Sequence, residues 1–521
     1  MKYLDILHTV SLSKPILAKI VLSLLLILVF ASFFPKKINL VIADLGQHLK
    51  TGEIFFNTGR IIKSNYYSYT EPDRPAVNHR WLSGVIFYVV YKYFDFVGLS
   101  IFFALLSGVT LFIFFRLIHK KVGFVCAIAL IFLASPFILS RVEIRPEVFS
   151  HLFTGLYLYL FAQYREGRLK FNKLLIIVFL IQVLWVNAHL FFVIGLFLSL
   201  VFAFNFYLEN RYDSMRNFLS LFVLLVVASL INPSGIYGVF EPFAIFREYG
   251  VDVSENVGLI NFFSLASEIP NSKGFLFMFF TVFILGIFSG VFVLRRFKNR
   301  KDWVWLILFI IFGSAPLMMV RLVAVFGYYS ILYFGTLLAN FPVLIQRASK
   351  VFRYFIPFFI INGPFLFPNY GVGLRPAVQD SANFFKYNNL HGPIFNNYDI
   401  GGYLIYNLFP EERVFVDNRP EAYSVSFAGK ATGRLGSDEA AWEKLDMEYR
   451  FNTIYLSLWG KKDSTKEFLF KRFGDARWST VFMDGYAIIL VRDIPEFDNV
   501  VHDYRISNPG ERYLSEPQPP Y

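Results

Sequence analysis

Cysteine is almost missing from this chain. Cys126 is the single one in 521 residues, and it lies inside an apolar run. That excludes a disulfide framework and a cysteine-based metal centre. Charge is sparse too, and the long apolar runs carry almost none at their middles. No motif recurs at a fixed period, which excludes a solenoid or propeller. The +12 net charge does not gather on one face, so it gives no nucleic-acid footprint and nucleic acid is not an expected partner.

Apolar surface is what the chain has in plenty. It is 56% hydrophobic and 20% aromatic, with 65 Phe and a mean hydropathy of +0.50, too apolar for a soluble domain. Repeated runs of about 20 apolar residues match the thickness of a hydrocarbon core. The reading is a polytopic α-helical membrane protein of about 11 spans. These fall at roughly 15–35, 97–117, 122–140, 146–163, 173–188, 190–208, 214–232, 274–294, 302–320, 322–341 and 352–368. The first, from Pro15 to Phe34, is too long for a cleaved signal and reads as a retained anchor. Trp81 to Phe94 is too short to cross and reads as an interfacial or re-entrant helix.

Basic residues mark every second connection. They include Arg116, Lys120 and Lys121, then Arg165 to Lys173, Arg211 and Arg216, Arg295 to Lys301, and Arg347 to Arg353. The positive-inside rule then puts these and the N-terminus in the cytoplasm, in a cytoplasmic (inner) membrane. The 36–96 loop, the turns near 141–145 and 187–189, the 233–273 loop and the tail from 369 fall outside. Three units follow: 1–368 in the membrane, an extracytoplasmic α/β domain over 369–507, and a disordered, Pro-containing end over 508–521. In the α/β domain, Pro393–Asn396, Val414–Asp417 and Thr453–Leu458 read as strands. Gly402–Leu408, Ser437–Tyr449 and Lys466–Phe473 read as helices, and Val481–Val491 as a hairpin turning at Asp484-Gly485.

Polar residues concentrate on the external side. Asp44 and His48 stand at i and i+4 and share a face if helical. Such a carboxylate can deprotonate an acceptor hydroxyl, and the pair could hold a divalent metal. Equally, Asp44 could cap its helix and His48 be an ordinary satisfied side chain. Arg145 and Arg321, at span rims, suit phosphate, or anchor the chain at the interface. Glu147 and Glu143 could pair with Arg145. Asn187 and His189 could line a sugar site or cap helix ends. His79 lies in the same external set.

The segment Asp44-Leu45-Gly46-Gln47-His48, with Tyr66 to Thr70 and Asn78-His79-Arg80-Trp81, resembles the first external loop of bacterial members of the GT-C glycosyltransferase superfamily. These are relatives of the dolichyl-phosphate-mannose–protein mannosyltransferases. Arg145-Pro146-Glu147, Asn187-Ala188-His189, Asn232-Pro233, Phe395 to Leu404 and Val416-Asp417-Asn418-Arg419 extend the resemblance over about 40–420. It implies transfer of a sugar from a polyprenyl phosphate to an extracytoplasmic lipid, glycan or protein. Asp44 matches the acid that serves as base or metal holder, and outer basic and amide residues would hold the phosphate. Many members carry a second acid beside the first or two residues after it; here Leu45 and Gly46 stand there. A lipid-linked-sugar flippase or transporter and a non-catalytic assembly protein are the rival readings. The outer placement of charge favours the enzyme, since transporters put ionisable groups near the midplane.

Overall fold

The computed structural model describes residues 14–244, 254–265, 272–297, 303–362, 369–432, 438–459 and 463–517. The chain is mostly helical. In order come α1 (Lys14–Ala31), α2 (Leu45–Thr58), α3 (Trp81–Ile138), α4 (Glu147–Arg165), α5 (Phe171–Ala188), α6 (Val193–Leu208) and α7 (Tyr212–Ser229). Then follow α8 (Ile236–Ala244), α9 (Leu259–Leu265), α10 (Ser272–Phe297), α11 (Trp303–Met318), α12 (Val323–Leu338) and α13 (Pro342–Asn362). Stretches long and apolar enough to cross a membrane are Trp81–Arg141, Phe171–Ala188, Leu190–Leu208, Tyr212–Ser229, Ser272–Arg296 and Val320–Leu338. Ile16–Ala31 and Trp303–Met318 are apolar but shorter.

A helix stands at each expected span through 322–341. The last differs: α13 starts at Pro342, ten residues before the expected 352, and carries Arg347, Lys350 and Arg353 within it. Residues 363–368, like Lys298, Arg300 and Lys301, lie outside the described residues.

The 58 residues of α3 are not one rod. Asp95 (φ 57°) and Gly123 (φ 78°) break it into three. Positive φ is costly for a side chain with a Cβ, and here the Asp95 carboxylate offsets part of that cost by accepting the Phe96 amide at 2.7 Å. The first piece is the short arm expected at Trp81 to Phe94. The other two lie where two spans were expected.

The C-terminal region adds α14 (Asp380–Tyr387), α15 (Gly401–Leu408), α16 (Val425–Thr432), α17 (Glu439–Tyr449), α18 (Asp463–Phe473), α19 (Asp498–Tyr504) and α20 (Pro509–Ser515). Its sheet contains β1 (Ile394–Asn396), β2 (Thr453–Ser457), β3 (Trp478–Met483) and β4 (Ala487–Arg492) in the order β1-β2-β4-β3. β1 and β2 are parallel and the other pairs antiparallel. The β3–β4 turn is held by Asp484 Oδ1, which accepts the Tyr486 and Ala487 amides at 2.7 Å each.

Two expectations for this region fail. Val414–Asp417 is not a sheet strand, because other groups take its hydrogen bonds. Val414 exchanges bonds with Tyr67 and Tyr69 of the first long loop, and the Phe415 amide donates to Asn396 Oδ1 at 2.9 Å. Residues 509–515, expected to be disordered, form α20. Pro509 sits in its first turn, where a missing N–H costs nothing, and Tyr513 is buried against Phe470 and Phe473. Residues 518–521 are outside the described set.

The region is fastened to the first long loop by buried polar contacts. Asp417 and Arg419 pair at 2.9 and 2.7 Å, Arg419 also donates to Asn65 Oδ1 at 2.9 Å, and Tyr423 donates to Asp417 at 2.9 Å. Glycines close the other contact. A Cβ on Gly46 would lie 2.4 Å from the Gly402 carbonyl, and one on Gly52 would lie 2.1 Å from that of Gly84. So α2 is clamped backbone to backbone between the α3 arm and α15.

Candidate active site

Asp44 sits at the N-cap of α2, yet its side chain makes no capping bond. It turns instead to two distant parts of the chain. Asn418 Nδ2 donates a short hydrogen bond to Oδ1, and Arg145 Nη1 lies 3.6 Å from Oδ2. The carboxylate is 21% exposed. Burial raises its pKa above the usual carboxylate value, with Arg145 pulling the other way.

Arg145 is the hub of a charged cluster in the loops at this end of the helices. Besides Asp44 it meets Glu143 at 3.0 Å and Glu255 at 2.5 Å. Arg141 binds the same Glu255 at 3.1 Å and takes Glu147 at 3.0 Å. Arg321 donates to Asn256, next in sequence to Glu255, and its Nε is buried with no hydrogen-bond partner among the described residues. Burial alone would raise Glu143, but Arg145 and Lys36 outweigh it and hold the carboxyl below its usual value.

Three histidines form the other side. Burial pushes His48 and His79 well below the ordinary imidazole value, with Arg80 next in effect, and His189 lies within the field of both. His48 Nε2 is buried with no hydrogen-bond partner among the described residues. Burial brings His189 down to about 3. Its tautomer follows from its neighbours. Trp185 Nε1 donates to Ser150 Oγ at 2.8 Å, and Ser150 Oγ lies 2.9 Å from His189 Nδ1. The Phe191 amide also points at Nδ1, at 3.4 Å. Because the Phe191 N–H can only donate, Nδ1 is the acceptor, the Ser150 hydroxyl donates to it as well, and the imidazole proton is assigned to Nε2.

The structure therefore joins Asp44 to Arg145 directly, joins Glu147 to them through Arg141 and Glu255, and sets Arg321 on Asn256 beside Glu255. Glu147 pairs with Arg141 and makes no ion pair with Arg145 among the described residues. Asn187 is fully engaged by protein: it accepts from Trp81 Nε1 at 2.8 Å and donates to Val183 and Ile231 carbonyls at 2.8 Å each. Its amide ties α5 to the α3 arm. Sequence reasoning missed Glu255, Asn256 and the role of Asn418.

Among the described residues no hydrogen bond or ion pair joins the Asp44 and His48 side chains, and Asp44 faces Asn418 and Arg145. Among the described residues no group of three or more His, Cys, Asp or Glu could hold a metal ion.

This helical bundle, with its polar cluster at one end and a small sheet-bearing region seated on it, shares its fold with solved oligosaccharyltransferase structures. The solved structures that resemble it include the oligosaccharyltransferase AglB from Archaeoglobus fulgidus. In complex with an inhibitory peptide and a dolichol-phosphate, AglB aligns at TM-score 0.56 and 11% identity, over 88% of this chain and 72% of its own. The complex with Zn and sulfate aligns at TM-score 0.56 and 11% identity, over 91% and 73%. The form tethered to an acceptor peptide containing the NVT sequon aligns at TM-score 0.52 and 10% identity, over 88% and 72%. By sequence, the chain matches no protein-family model and no curated protein.

Proposed function

We propose that the chain is a membrane glycosyltransferase that moves a sugar from a polyprenyl-phosphate donor to an acceptor outside the cytoplasmic membrane. The observation that carries this is the convergence of Arg141 and Arg145 on one carboxylate oxygen of Glu255, with Arg145 also facing Asp44. Guanidinium forks that can hold a carboxylate can hold a phosphate oxygen, and a dianionic phosphate would compete with Glu255 for them. Arg321 is the third cation of that site. AglB, solved with dolichol-phosphate and separately with sulfate, supports a lipid-phosphate ligand at such a site.

Asp44 takes the proton from the acceptor hydroxyl. The freed oxygen attacks the anomeric carbon, the bond from that carbon to the phosphate oxygen breaks, and the phosphate leaves with the electron pair. Arg141 and Arg145 meet the charge that develops on it. His189 offers an Nε2–H donor on the same side. Direct displacement of this kind inverts the anomeric centre. The basic loops at the opposite helix ends support an orientation with the site and the C-terminal region outside, over the eleven crossings expected from the sequence. On this reading that region is a separate α/β domain from 369.

Washed membranes supplied with a labelled polyprenyl-phosphate sugar test the proposal. Asp44→Asn should express normally and lose transfer by roughly 100-fold or more, the range of a lost general base. Wild-type turnover in that variant would remove Asp44 from the chemistry. If the label crosses the bilayer without transfer, the chain is a flippase.

A further inference from the structure

A second cleft, of about 1010 Å³, opens where the α3 arm, α2, α14 and α15 meet. α2 connects it to the Asp44 site, because Asp44 caps the start of α2 and Leu49, Lys50 and Glu53 further along line the cleft. Glu53 is nine residues beyond Asp44 on α2, about 13 Å at 1.5 Å per residue.

The two long walls differ in chemistry. The α3 arm supplies rings: Tyr88, Tyr91, Tyr93 and Phe94. Tyr93 and Phe94 are 65% and 69% exposed. Tyr406 of α15 joins them, its hydroxyl 2.6 Å from that of Tyr91. The opposite wall is one face of α14, where Gln379, Asn383 and Lys386 follow at i, i+4 and i+7. Asn407 donates to the Tyr403 carbonyl, and its side-chain oxygen accepts no hydrogen bond among the described residues. The Asn383 side chain and the Tyr88 hydroxyl make no hydrogen bond among the described residues. Lys50 and Glu53 neutralise each other at 2.8 Å.

We infer that this cleft binds a carbohydrate, as the outer part of a glycan acceptor whose reacting hydroxyl lies at Asp44. Sugar rings present apolar faces and hydroxyl edges, which match flat aromatic rings on one side and amides with an ammonium on the other. Leu49 is the sole aliphatic lining residue, so the cleft lacks the apolar channel an acyl chain would need. The nearly balanced charge of its lysines and acids suits a neutral polyol better than an anionic headgroup. The acceptor role rests on the transferase reading; carbohydrate binding does not.

The test uses full-length protein in nanodiscs and saturation-transfer NMR, with the soluble oligosaccharides released from the producing organism's envelope as probe. Wild type should bind at least one of them. Tyr88→Ala and Asn383→Ala should each weaken that binding about tenfold or more, leaving hydrolysis of the polyprenyl-phosphate sugar without acceptor unchanged. No glycan binding by wild type, or equal binding by the variants, overturns the inference even if donor hydrolysis stands. Variants that lose dependence on anionic phospholipid in the disc while still binding glycan would make this a headgroup site, and also overturn it. Glycan binding lost in the variants, with no donor turnover by wild type, keeps the carbohydrate site and removes the transferase reading.

Discussion

Replacing Gly46 with alanine adds one methyl group to α2 and should disturb the site out of proportion to its size. The new Cβ would lie 2.4 Å from the Gly402 carbonyl oxygen and 3.0 Å from Tyr406 Cβ. Ordinary contact begins near 3.4 Å, so about 1 Å must be found between α2 and α15. The obstacle is backbone, and no rotamer change relieves it. Overpacking of this sort costs about 1–3 kcal/mol. The movement separates Asp44, at the start of α2, from Asn418, which enters from the C-terminal region next to α15. A shift near 1 Å is enough to break a hydrogen bond of normal length. Gly46→Ala should therefore lower the thermal midpoint and reduce transfer by about tenfold or more. Gly274→Ala, where a Cβ meets nothing within 4 Å, is the control and should match wild type. Thermal unfolding in detergent and donor turnover read the two effects. Wild-type values for Gly46→Ala in both would refute the close α2–α15 contact, and with it the positioning of Asp44 by the C-terminal region.

Further predictions concern charge and protons. Transfer should fail at low pH with a midpoint above the ordinary carboxylate value, because burial raises Asp44 and the base must be ionised. Arg145→Ala removes the main opposing influence and should move that limb to higher pH while raising the donor concentration required; an unmoved limb breaks the Asp44–Arg145 coupling. The buried histidines are neutral in the fold, and His189 titrates there only at about 3. Their folded pKa values lie below the unfolded 6.5, so the unfolded chain binds more protons, and melting should show stability falling as pH drops below about 6.5. Ser150→Ala removes one of the two donors to His189 Nδ1 and should shift the Nδ1 resonance in nitrogen NMR of labelled histidine; an unchanged spectrum removes the Ser150–His189 bond. Arg419→Ala leaves Asp417 buried without its cation and should cost about 3–5 kcal/mol, seen as early proteolysis of the C-terminal region.

The membrane helices were readable because a bilayer imposes length and apolarity on each crossing, and these constraints are local. The break at Asp95 was foreshadowed in the same way, by an apolar run too short to cross. The hairpin at Asp484-Gly485 was legible because its turn residues bond their own backbone. Val414–Asp417 was misread because its apolar pattern fits a strand, while its partners, Tyr67, Tyr69 and Asn396, lie far away or act through a side chain. The end of the chain was misread from its prolines, although Pro509 sits where a helix tolerates proline and Tyr513 has a pocket to fill. At the site, Asp44 and Arg145 stood out as charges at the ends of apolar runs. Glu255 and Asn418 carry no such mark. Their roles come from folding that brings residues over 100 and over 370 positions away to the same two side chains.

The absent second acid takes on a physical meaning in this setting. Gly46 stands two residues after Asp44, and no side chain fits there while α2 rests on the Gly402 carbonyl. A neutral amide, Asn418, reaches Asp44 instead, from a different part of the chain. Two carboxylates side by side repel, and such a pair needs a cation or a shared proton to be stable. A single carboxylate flanked by an amide donor and an arginine has no such need. Its proton affinity is set by burial against the pull of Arg145, both of which the protein supplies. The same glycine contact sets the seat of α2, which leads from Asp44 to the neighbouring cleft. Gly46→Ala should therefore weaken glycan binding and donor turnover together, whereas Tyr88→Ala weakens only the first. If Gly46→Ala affected neither, α2 would not couple the two sites.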